Sequence, residues 1–81
     1  MTNKLEILTQ ALSARRAEVF AYQINIDNYL LAIAHITNIE DVELYPFREQ
    51  LSKLLASELL EQKKAGVMLT VIEVQLQNLS S

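Results

Sequence analysis

No cysteine and no tryptophan occur among the 81 residues, and glycine, proline and histidine appear once each, as Gly66, Pro46 and His35. The lack of cysteine excludes a disulfide framework, a thiolate metal site and a cysteine nucleophile. One glycine and one proline are too few turn formers for a β-rich fold, and a lone glycine cannot build a phosphate-cradling loop. A helical di-metal site needs paired Glu-x-x-His motifs. Here Ala32 stands three residues before His35, and Glu58 and Glu61 have no histidine beside them. A Ser/His/Asp set would have to use His35, and no sharp turn presents a serine. The expectation is a protein without cofactor or metal, and not an enzyme.

Long apolar runs are missing too. The longest uncharged stretch, Asn28 to Ile39, has twelve residues, whereas a bilayer span needs about 20 mostly apolar ones. Met1 to Gln10 is polar and mixed, with no basic region ahead of an apolar one. A cytoplasmic protein without membrane contact is expected. Nor is there a basic surplus: ten acidic against seven basic residues leave a formal charge of −3, unlike a phosphate-tracking domain.

What the chain does have is apolar bulk, 51% of its residues, which excludes disorder. A core built from so few residues supplies only about 3–5 kcal/mol. Without disulfides or a metal, self-association is the remaining route to stability.

Helix is the dominant local signal. Asn3 with Glu6 has the form of a capping box, and no glycine or proline interrupts Lys4 to Thr37. Leu5, Leu12, Val19, Ile26 and Ile33 recur every seven residues, with Leu8, Arg15, Tyr22, Tyr29 and Ile36 as companions. This is an a/d seam with one flaw, Arg15. Residues 38–45 read as the connection, acidic at Glu40, Asp41 and Glu43. Pro46 suits the first turn of a second helix over 46–79. That helix carries Phe47, Leu51, Leu54 and Leu55, a polar interruption at Glu58, Glu61 and Gln62, then Ala65, Leu69, Ile72, Leu76 and Leu79. The predicted fold is all-α: one domain, an antiparallel two-helix hairpin, assembling as a homo-oligomer of which a four-helix bundle dimer is the simplest form. Gly66 is the position where the second helix could break into two. If it does not, it marks a close approach of another backbone or ring near Val19 and Phe20.

A second apolar stripe decides the functional expectation. Ala17, Phe20, Ile24 and Leu31 lie opposite the first seam, and Leu60, Val67, Val71 and Val74 lie opposite Leu69, Ile72 and Leu76, at about 100° per residue. A lone hairpin hides one face of each helix, so another copy or another protein must cover the rest. The expected contact residues are Val19, Phe20, Ile24, Ile26, Leu31, Ile33, Val67, Val71, Ile72 and Val74. Arg15 or Arg16 is expected to pair with Glu73 and set the register; otherwise these are rim charges lying over the seam. The acids of the link are either a docking tip for a basic partner or a solvated loop.

The stretch Tyr-Gln-Ile-Asn-Ile-Asp-Asn-Tyr, Tyr22 to Tyr29, together with Leu55 to Gln62, resembles small accessory proteins of bacteriophage and prophage genomes. The resemblance covers about half of the chain and carries no active-site motif. It implies action by binding host or phage proteins and transfers no residue role. The functional expectation is therefore a non-enzymatic protein–protein interaction module, an inhibitor or adaptor. The alternatives are a small nucleic-acid-associated regulator using Arg15, Arg16, Lys63 and Lys64, and a structural component of a larger particle.

Overall fold

The computed structural model describes residues 3–80 of the chain. Helix α1 spans Lys4–Ile39, a 3-10 turn follows at Val42–Leu44, and helix α2 spans Tyr45–Ser80. The two helices pack antiparallel as a rod of 59 × 17 × 16 Å. Its length is that of one 36-residue helix at 1.5 Å per residue.

Local chemistry accounts for the ends. The Asn3 side chain accepts the Glu6 amide at 2.8 Å, satisfying one orphan donor of the first turn. At the other end of α1, Glu40 takes the left-handed conformation, φ 54° and ψ 33°, a position that favours glycine. Asp41 then accepts the Glu43 amide at 3.0 Å and starts the 3-10 turn. Pro46 falls in the first turn of α2, where a missing N–H costs nothing.

The heptad seam of α1 faces α2. From Leu8 to Ile36 every a/d residue is buried or half-buried, with Leu8, Ile26 and Ile36 the most enclosed. On α2 the facing line is Arg48, Leu51, Leu55, Glu58, Gln62, Ala65, Leu69, Ile72 and Leu76, of which Leu51, Ala65 and Ile72 are buried. Phe47 and Leu54, assigned to this stripe from spacing, are exposed by 48% and 45%. Both sit about 80° around the helix from the seam, on its flank.

Helix α2 runs unbroken through Gly66. A Cβ built there would meet nothing within 4 Å, so among the described residues no ring or facing backbone packs against it. Its glycine therefore costs helix propensity without a packing return within the hairpin. Gly66→Ala is expected to stabilise the fold by about 0.5–1 kcal/mol, read as a rise in the thermal midpoint. Glu40→Gly should act in the same direction by relieving the left-handed residue, by roughly 1 kcal/mol. A fall in midpoint for either variant would contradict the geometry described.

Candidate interaction surface

Two polar side chains occupy seam positions near the middle of the rod, and both reach across to α1. Gln62 donates through Nε2 to the Gln23 Oε1 at 2.9 Å and to the Val19 carbonyl at 3.3 Å. Asn25 donates through Nδ2 to the Glu58 Oε2 at 3.3 Å. The interruption visible in the sequence at Glu58 and Gln62 is thus a polar cross-link between the helices. Its partners, Gln23 and Asn25, flank the seam, and spacing alone does not mark them because they become neighbours only in this register.

The same bonds set the level of the two helices. Val19 stands beside Gln62 and Asn25 beside Glu58. Arg15 accordingly comes level with residues 66–68, one to two turns short of Glu73. It pairs instead with Glu18 on its own helix at 3.0 Å. Among the described residues no ion pair joins Arg15 or Arg16 to Glu73. The expected register pair is not formed, because the tight connection slides α2 by about three residues from the predicted alignment and a closer acid is available. Lys64 likewise holds Glu61 at 3.0 Å, so each basic doublet has one member committed to a carboxylate.

The predicted contact residues divide into two sets. Val19, Ile26, Ile33 and Ile72 line the seam within the single chain, buried or half-buried. Phe20, Ile24, Leu31, Val67, Val71 and Val74 point outward, with exposures running from 45% for Val71 to 69% for Leu31. The seam completes the hairpin. The outward set is left without cover, and it lies on the two outer edges, about 150–160° around each helix from its own seam.

Near the turn, Ile33, Thr37, Val42, Tyr45, Arg48 and Ser52 border an open groove of about 610 Å³. The Arg48 guanidinium lies 4.1 Å from the Tyr45 ring centroid and donates to the Thr37 Oγ1 at 3.2 Å, so its charge is already engaged. Among the described residues no group of three or more His, Asp or Glu gathers where it could hold a metal ion. No helix there is long and apolar enough to cross a membrane.

Removing the cross-link should loosen the rod without unfolding it. Gln62→Ala is expected to cost about 1 kcal/mol in chemical denaturation, with a coupling to Gln23→Ala of about 0.5 kcal/mol in a double-mutant cycle. Zero coupling would mean that the two amides do not meet in solution. Comparison with protein-family models, curated proteins and solved structures found no match to this chain.

Proposed function

We propose that this chain is a non-enzymatic interaction module that completes its core by self-association into a helical bundle, through which it presents a rigid helical surface to protein partners. The observation that carries this reading is the surface a lone hairpin leaves uncovered. A compact monomer of 9.2 kDa has about 4,900 Å² of accessible surface. This chain has 6066 Å². The excess, on the order of 1,000 Å², is comparable to the roughly 800 Å² that each partner buries in a standard protein interface. The radius of gyration, 18.2 Å, likewise exceeds the value of about 12 Å for a compact fold of this length.

The uncovered surface has the chemistry of a core. Phe20, Leu31 and Val67 are exposed by 66%, 69% and 59%, and burying one such side chain is worth about 1.5–3 kcal/mol. The likeness of Tyr22–Tyr29 and Leu55–Gln62 to phage accessory proteins, which often act by binding other proteins, favours the same functional class.

The division of apolar residues into seam and edge makes the reading testable. In sedimentation across micromolar concentrations the chain should be heavier than its 9.2 kDa. Ile24→Asp, at an exposed edge, should lower that mass and leave the helical circular dichroism intact. Ile26→Asp, in the seam, should lose helicity as well. A wild-type chain that sediments as a folded monomer throughout this range would exclude the self-association reading.

A further inference from the structure

The two outer edges have matching patterns. On α1 the exposed edge reads Ala17, Phe20, Ile24, Asp27, Leu31, Ala34; on α2 it reads Ser57, Leu60, Lys64, Val67, Val71, Val74. Both are spaced three, four, three, four, three, which is the spacing of a coiled-coil seam. Each contains a single charged residue, of opposite sign, the fourth on α1 and the third on α2. We propose that copies of this chain join head to tail, the outer edge of α1 in one copy packing antiparallel against the outer edge of α2 in the next, with Asp27 meeting Lys64 across the contact. The proposal rests on the self-association reading and specifies its partner surface.

In this register Ala17 faces Val74, Phe20 faces Val71 and Ile24 faces Val67. Asp27 then faces Lys64, and Leu31 faces Leu60. Every large apolar residue meets another apolar one, and the two charges neutralise each other. At full overlap, the other pairings of these edges leave a charge unmatched or opposed. Antiparallel α1 on α1 sets Asp27 against Ile24 twice over, and antiparallel α2 on α2 does the same with Lys64 and Val67. Parallel pairings of like edges bring like charges together. Parallel α1 on α2 leaves Lys64 against Ile24 and Asp27 against Val67. An unpaired charge at an apolar contact is a strong bar to association. In the isolated hairpin Asp27 accepts from Gln23 at 2.9 Å and Lys64 holds Glu61 at 3.0 Å. Both are exposed contacts within one helix, weak enough to rearrange.

Position then limits the kind of assembly. A closed symmetric dimer would hold the neighbouring helices at the levels they have within the hairpin. That alignment is eight to ten residues away from the favoured one. The nearest stripe-on-stripe register, one heptad away, would set Lys64 against Phe20 and Lys53, which continues the α2 stripe four residues before Ser57, against Leu31. The complementary register staggers successive copies by eight to ten residues, about 12–15 Å. The edges also point in nearly opposite directions, so one partner cannot cover both. A head-to-tail contact that does not close propagates, and the assembly is an open staggered row of hairpins.

Edge-blocked variants of the full chain test this directly. Ile24→Asp blocks the α1 edge and Val67→Asp the α2 edge, both at exposed positions, so circular dichroism should remain helical. Each variant alone should sediment as a monomer. Mixed in equal amounts, they should form one species of twice the monomer mass, because each retains the edge that the other lacks. Asp27→Lys should weaken wild-type association by roughly tenfold or more, and adding Lys64→Glu in the same chain should restore it. Either blocked variant dimerising on its own, a mixture that stays monomeric, or no restoration by the double swap would overturn the pairing. If the wild-type chain nevertheless associates, the self-association reading survives that result. A monomeric wild-type chain would remove both.

Discussion

Two parallel cylinders touch along one line. That constraint governs this molecule, because each of its helices carries an apolar stripe on more than one side. The line of contact buries Leu8, Ile26 and Ile36 from one helix and Leu51, Ala65 and Ile72 from the other, and no described side chain is more than about 98% enclosed. Hydrophobic stabilisation scales with the area removed from water. A rod this thin removes little, and most of its large apolar side chains outside the seam stay exposed.

The polar layer at Gln62 and Glu58 takes its meaning from that thin seam. A purely apolar seam with seven-residue periodicity can slide by a heptad at modest cost. Hydrogen bonds to Gln23, the Val19 carbonyl and Asn25 make one alignment preferred. The alignment in turn fixes which outer residues of the two helices stand at the same height. In the proposed row, that alignment also sets the stagger between successive copies.

Much of this architecture was legible in the sequence. Seven-residue recurrence from Leu8 to Ile36 identified the face of α1 that α2 covers, and the opposite stripe at Phe20, Ile24 and Leu31 is indeed exposed. Leu5, 55% exposed, and Leu79, 45% exposed, belong to the pattern but lie at the open end of the rod, where little remains to cover them. Phe47 and Leu54 are as apolar as the seam yet lie on its flank, a distinction that hydrophobicity alone does not carry. The Arg15–Glu73 pairing failed on register. Register depends on the geometry of the connection, and the left-handed Glu40 followed by a 3-10 turn leaves no composition signal strong enough to predict a shift of about three residues. The complementarity of Asp27 and Lys64 could be read only after the exposed edges had been separated from the seam.

The central claim is that other copies of this hairpin bury its outer edges and so add to the stability that the seam supplies. Thermal unfolding followed by circular dichroism over a dilution series tests it most directly, since linkage makes the midpoint of an associating protein concentration-dependent. The account predicts a midpoint that falls on dilution and levels off at that of the monomeric Ile24→Asp variant. A sharp transition at one temperature across the whole series would contradict it.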